Sequence, residues 1–169
     1  MNIKDILKKK RPLIMGVLNV TPDSFSDGGK FNKLEKAVKR AKQMESEGAD
    51  IIDIGGESTG PNSKFISLEE ELKRVIPVIK LIRRISKLPI SIDTYKSEVA
   101  KQALENGANL INDVTALRGD KNMAKIAAKY NCPIILMYSK DKTPRTTREA
   151  IDYEDVIKTI KTFLKNRIK

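Results

Sequence analysis

A single cysteine in 169 residues leaves no partner for an internal disulfide, so the chain does not ask for an oxidising compartment. Cys132 sits beside Pro133 at the head of an apolar run and reads as a buried structural thiol. Aromatic residues make up only 5% of the chain, which argues against base-stacking platforms for nucleic acid. No stretch reaches the roughly 18 apolar residues of a membrane-spanning helix. The first eleven residues end in Lys8-Lys9-Lys10-Arg11 and have neither the apolar core nor the charge order of a signal peptide. The expectation is a soluble, cytoplasmic protein that engages neither nucleic acid nor membrane. Histidine is absent altogether.

Positive charge is what the chain has in excess. Lys and Arg total 33 against 22 Asp and Glu, a net charge of +11. These charges are spread along helical faces and read mostly as solvated surface, with a field that favours anionic substrates. Hydrophobic residues make up 40%, enough for a globular core and too much for a disordered chain. The length suits one domain over residues 1–169, with no linker and no low-complexity segment.

Five short apolar runs read as buried strands: Leu13–Leu18, Ile51–Ile54, Pro89–Ile92, Leu110–Asn112 and Pro133–Met137. Helical periods lie between them. Leu34, Ala37, Val38, Ala41 and Met44 share one face, and Gly48 stops that helix. Ser67-Leu68-Glu69-Glu70 is a capping box opening a long helix through Leu72, Val75, Ile76, Ile79 and Ile82. Pro77 should kink or split it. Shorter helices follow at about Ser97–Asn106, ended by Gly107, and at about Asn122–Tyr130. A last one begins near Asp152, with Val156, Ile157, Ile160, Phe163 and Leu164 inward. Gly48-Ala49-Asp50-Ile51-Ile52-Asp53 is echoed by Gly107-Ala108-Asn109-Leu110-Ile111-Asn112, the mark of a repeated unit.

Strand–helix alternation predicts a parallel α/β sheet. Asn19, Thr59, Asp93, Asn112 and Met137 each fall at or just after the C-terminal end of a different strand. Polar groups from consecutive strands fit the wall of a (β/α)₈ barrel, whose site is built at that end, better than a doubly wound sheet. Asn19 and Asp27, in the loop after the first strand, offer hard oxygens suited to Mg²⁺ and a phosphate-bearing substrate. Taken alone, Asp93 could instead cap the following helix, Asn112 could be a satisfied turn residue, and Thr59 could belong to an ordinary Gly/Pro loop. Phe25 and Pro61 could wall an aromatic substrate or simply pack their loops, and Met137 could be core.

Met15-Gly16-Val17-Leu18-Asn19-Val20-Thr21-Pro22-Asp23-Ser24-Phe25-Ser26-Asp27-Gly28-Gly29 resembles the first signature of the dihydropteroate synthase family. Gly48-Ala49-Asp50-Ile51-Ile52-Asp53-Ile54-Gly55-Gly56-Glu57-Ser58-Thr59-Gly60-Pro61 resembles its second. Ser91-Ile92-Asp93-Thr94 and Ile111-Asn112-Asp113 extend the likeness over essentially the whole chain. The resemblance implies a pterin-binding TIM barrel that condenses p-aminobenzoate with 6-hydroxymethyl-7,8-dihydropterin pyrophosphate, giving 7,8-dihydropteroate and pyrophosphate in folate biosynthesis. It implies that Asp93 and Asn112 bind the pterin, with Met137 stacking on it. Thr59 would hold a phosphate oxygen, Phe25 and Pro61 would wall the p-aminobenzoate pocket, and Asn19 and Asp27 would hold Mg²⁺. Asp27 and Asp93 would stabilise the cationic carbon left by pyrophosphate. Such a reaction needs positioning and charge stabilisation rather than a nucleophile, so the absence of histidine is no obstacle.

The likeness has gaps. A full barrel takes about 250 residues, and five βα units are expected here. The family's later aspartate, lysine, arginine and histidine have no counterpart. Gly60 stands where the family has arginine, and Tyr138 where it has the histidine after Met137. Two alternatives stay open: a non-catalytic pterin-binding fragment, or one half of a split enzyme. A corrinoid methyltransferase domain fits less well, since methyl transfer releases no pyrophosphate. With open edges at the first and fifth strands, and the inner faces of Ile14, Ile52, Ile92 and Ile135 lacking an opposite wall, the isolated chain is expected either to associate, with itself or with a complementary barrel fragment, or to be only marginally stable.

Overall fold

Side-chain alternation along five short strands decides the architecture. The computed structural model describes residues 3–6, 8–21 and 30–168. Its strands are β1 (Met15–Asn19), β2 (Ile51–Gly55), β3 (Ile90–Asp93), β4 (Leu110–Asp113) and β5 (Ile134–Leu136). The helices are α1 (Ile3–Ile6), α2 (Lys30–Ser46), α3 (Leu68–Ile85), α4 (Ser97–Glu105), α5 (Met123–Tyr130) and α6 (Val156–Arg167). Every strand pair is parallel, and the sheet order is β1-β2-β3-β4-β5. A doubly wound sheet reverses its order at a switch point; this one never reverses. It is the wall of a (β/α)₈-type barrel, carried here by five βα units.

One set of alternate residues is dry. Leu18, Ile52, Ile54, Ile90, Ile92 and Ile111 are buried against Ala37, Ala41, Val75, Ile79, Ile82 and Val99 of the flanking helices. Each such side chain contributes roughly 1.5–3 kcal/mol by leaving water. The other set looks inward. At its N-terminal end, Ile51 and Leu110 pack with Ile3 of α1, with Met15 and Ile135 against them. Of the four residues expected on the inner face, only Ile135 is there. Ile52 and Ile92 face the helices, and Ile14 is 55% exposed ahead of β1. The reason is the strict period of two: Asp53 and Asp93 occupy the inward positions of their strands, so the adjacent isoleucines must point out.

The sequence echo is a structural repeat. After α2, Gly48 adopts φ 98°, and after α4, Gly107 adopts φ 111°, a left-handed conformation that glycine tolerates without strain. Ala49 N then donates to Met44 O, and Ala108 N to Ala103 O, both at 2.9 Å. The next residue ties its strand to the neighbour. An Asp50 carboxylate oxygen accepts from Ile14 N at 3.0 Å, and Asn109 Oδ1 accepts from Ile90 N at 2.9 Å. An arginine braces each: Arg11 on Asp50 and Arg83 on Asn109. The Arg11 and Ile14 hydrogen bonds hold the Asp50 carboxyl well below the usual carboxylate range.

Two helices depart from expectation. α3 runs unbroken through Pro77; the carbonyl that loses its partner belongs to Lys73, which is exposed to water. Half of its capping box forms: Ser67 Oγ accepts from Glu70 N at 3.1 Å, while Glu70 pairs with Arg74. α6 starts at Val156, capped by Asp155 accepting from Lys158 N at 2.8 Å, and none of its residues is buried. Val156 and Ile157 are exposed rather than inward. α6 is held through Phe163, edge-on to Tyr138, and through Arg167 bound to Ala116 O. Cys132 is half-buried against the core rather than fully buried, and burial pushes its thiol up.

Candidate functional site

Beyond the apolar end of the inner face the lining becomes polar in register. Val17, Asp53 and Ser91 form one row across β1, β2 and β3; Asn19, Gly55, Asp93 and Asn112 form the next across β1 to β4. Gly55 presents no side chain, so Asn19 and Asp93 flank an open position: a Cβ there would sit 3.4 Å from Asn19 Oδ1 and from Asp93 Oδ2. Burial pushes the Asp93 carboxyl up to about 7, and the negative charges of Asp53, Glu71, Asp113 and Glu57 push the same way. Asp93 does not cap α4, because Ser97 N at that helix's start donates to Asp120 at 2.9 Å.

Asn112 donates from Nδ2 to Asp53 Oδ2 at 3.1 Å, which fixes the orientation of its amide. Burial pushes the Asp53 carboxyl up, against the pull of Ser91 and Asn112. Asp53 Oδ1 and Ser91 Oγ are buried without a hydrogen bond of ordinary geometry among the described residues. Unsatisfied buried oxygens on an inward face suit a polar ligand or an ordered water.

A second cluster braces the loops above this row. Buried Glu57, two residues past β2, accepts from Tyr95 OH at 3.0 Å, from Lys96 Nζ at 2.5 Å and from Arg145. Lys96 also reaches the buried Glu71 of α3 at 2.6 Å. Two carboxylates and two cations thus neutralise each other out of water, as buried charges must. Burial alone would raise the Glu57 carboxyl; Lys96 and Arg145 overcome it and hold it below its ordinary value. Gly56 fits only as glycine, since a Cβ would lie 2.8 Å from Val75 Cγ1.

Residues 15–169 match the family model described as pterin binding enzyme. The chain belongs to the pterin binding enzyme family. It is 59% identical over 134 residues to the dihydropteroate synthase of Clostridium beijerinckii, covering 79% of this chain and 50% of that protein. The dihydropteroate synthase of Clostridium difficile, solved in the presence of pteroic acid, superposes with TM-score 0.83 at 49% identity, over 94% of this chain and 58% of that one. That of Xanthomonas albilineans with 4-aminobenzoic acid gives TM-score 0.83 at 44% identity, over 94% and 55%. The chain spans about half the length of the curated relatives it matches.

Within this chain, Asn19, Asp93 and Asn112 are brought into one row, as the positions at strand ends require. Met137 directly follows β5 and is 37% exposed; it shares the parity of Ile135, the register partner of Asn112. Thr59 and Pro61 lie on the loop after β2, with Thr59 half-buried and Pro61 exposed. Phe25 and Asp27 lie outside the described residues. Among the described residues, no group of three or more His, Cys, Asp or Glu side chains could hold a metal; Asn19 contributes one hard oxygen at an exposed strand end, compatible with Mg²⁺. Tyr138 donates to the Tyr153 hydroxyl at 3.2 Å, within the aromatic packing of α6. Among the described residues no helix is long and apolar enough to cross a membrane.

The residues that sequence reasoning passed over are Asp53, Glu57, Lys96 and Arg145. Asp53 carried a signal, being a carboxylate inside the buried run Ile51–Ile54. Glu57 lay inside the second signature. Arg145 carried none, because it sits in an irregular connection and acts on residues far away in sequence.

Proposed function

We propose that the chain provides the pterin and pyrophosphate side of a dihydropteroate synthase site, joining p-aminobenzoate to 6-hydroxymethyl-7,8-dihydropterin pyrophosphate in the cytoplasm. The polar row of Asn19, Gly55, Asp93 and Asn112 carries this reading. An ionised Asp93 would accept two hydrogen bonds from the amidine-like edge of the pterin, and the amide that Asp53 orients on Asn112 would bond the same ring. Met137 would stack on its face. Thr59 would bind a phosphate oxygen. Phe25 and Pro61 would flank the arylamine, which displaces pyrophosphate at the pterin methylene. Asp27 and Asp93 would stabilise the positive charge left there. Mg²⁺, held by Asn19 and Asp27, would neutralise the departing pyrophosphate.

A second reading, a pterin-binding half that needs further βα units from the same or another chain, is favoured by the open inner face: Val17, one row below Asn19, is 54% exposed. A coupled pyrophosphate-release assay with both substrates and Mg²⁺ separates the two. Turnover by the pure chain supports the first. Pterin binding without turnover, with turnover gained on adding the C-terminal half of a relative, supports the second.

A further inference from the structure

The connection after β5 returns across the C-terminal ends of the strands to the connection after β2, although β3 and β4 separate those strands in the sheet. Arg145 makes the contact. Its side chain is nine-tenths buried. Nε donates to the Ser63 carbonyl at 3.1 Å, and Nη2 donates to the Lys64 carbonyl at 2.9 Å and to the Glu57 carboxylate. The guanidinium carbon lies 4.2 Å from the centroid of the Phe65 ring. Thr146 adds two bonds, its N and Oγ1 donating to the Thr59 carbonyl at 3.0 and 3.2 Å. Arg145 Nη1 has no partner among the described residues, and its side-chain hydrogen bonds to described residues go to the 57–64 stretch.

We propose that Arg145 is a positioning residue, locking segment 58–65, and with it Thr59, over the open end of the sheet. The assignment of a phosphate to Thr59 rests on the function proposed above; the lock itself does not. Segment 58–65 has no regular structure: it is a turn closed by Ser63 Oγ on the carbonyls of Ser58 and Gly60, with Asn62 at φ 65°. A loop of this kind, without further ties, opens at little cost. The lock uses what distinguishes arginine: a planar fork that donates in fixed directions and a flat face that stacks on an aromatic ring. Lysine could keep the charge against Glu57 but could not reproduce the fork or the stacking. Because Glu57 also binds Tyr95 and Lys96, one carboxylate ties together the loops after β2, β3 and β5.

The test compares amide hydrogen exchange and ligand binding in the full chain and in Arg145→Met, Arg145→Lys and Phe65→Leu; the last keeps every ion pair and removes only the ring face, at a residue 63% exposed. In both arginine variants, amides of 58–65 should exchange at least ~10-fold faster while those of β3 and β4 are unchanged, with a smaller rise in Phe65→Leu. Calorimetry with Mg²⁺-pyrophosphate should show affinity reduced ~10-fold, with affinity for 6-hydroxymethyl-7,8-dihydropterin unchanged. Wild-type exchange at 58–65 in the arginine variants would overturn the proposal, as would a uniform rise over the whole chain or equal loss of both ligands. Should Arg145→Met not fold, Arg145→Lys and Phe65→Leu decide by the same criteria. A wild-type chain that binds neither ligand would count against the proposed function, and exchange alone would then decide on the lock.

Discussion

The two faces of the sheet are made from alternate residues of the same strands and could hardly differ more. The helix-facing side is isoleucine after isoleucine, with Ile52, Ile54, Ile90, Ile92 and Ile111 all fully buried. The inner side carries an exposed Val17, two carboxylates pushed upward by burial, and buried oxygens without a hydrogen bond of ordinary geometry among the described residues. The first face supplies stability. The second spends some of it, because it holds ionisable groups where their charged forms are disfavoured. Ionisable groups held in an unfavourable state in adjacent rows of one face mark a candidate ligand site.

The strongest way to break this contrast is at the ion cluster that supports the loops. Lys96→Met leaves the buried Glu57 and Glu71 carboxylates without their shared cation, and should cost roughly 3–5 kcal/mol in urea unfolding at pH 7. On the helix-facing side, Ile92→Ala should cost about 2–5 kcal/mol from lost transfer and the cavity left behind. Its inward counterpart Val17→Ala should change stability by no more than about 0.5 kcal/mol, since the side chain is mostly in water. Equal losses at Ile92 and Val17 would erase the distinction between the faces.

Between those extremes, Asp93→Asn should stabilise the protein, with a pH signature. In the unfolded chain this carboxyl ionises near 3.8, and in the fold near 7. Between those values the folded protein keeps a proton that the unfolded chain has lost, so the wild type loses stability as pH rises towards 7 and levels off above it. Asparagine does not titrate. The advantage of the variant should therefore be small near pH 4 and reach about 2–4 kcal/mol by pH 8. Unfolding curves at several pH values would show it; a constant difference would mean that Asp93 ionises normally.

Sequence patterning located all five strands, because buried parallel strands are short apolar runs between glycine and polar stops. It also located Asn19, Asp93 and Asn112 at strand ends, since position along a strand is a local property. An apolar run does not say which of its isoleucines face inward; Ile52 and Ile92 face the helices, a parity that Asp53 and Asp93 fix. The exposure of Val156 and Ile157 was not legible, because a helical period shows that a face is apolar and not what covers it. Arg145 was out of reach for a different reason. Its partners Glu57, Ser63 and Lys64 are close only once β2 and β5 have been folded into one sheet.

Asp93 and Asn112 are proposed as a pterin subsite. Calorimetric titration of the wild type and Asp93→Asn with 6-hydroxymethyl-7,8-dihydropterin from pH 5 to 8 tests it most directly. If the ionised carboxylate binds the pterin, wild-type affinity should rise about tenfold per pH unit up to about 7 and then level off, while Asp93→Asn should bind weakly at every pH. A wild-type affinity independent of pH, an Asp93→Asn variant that binds as well as the wild type, or no binding at millimolar pterin would contradict it.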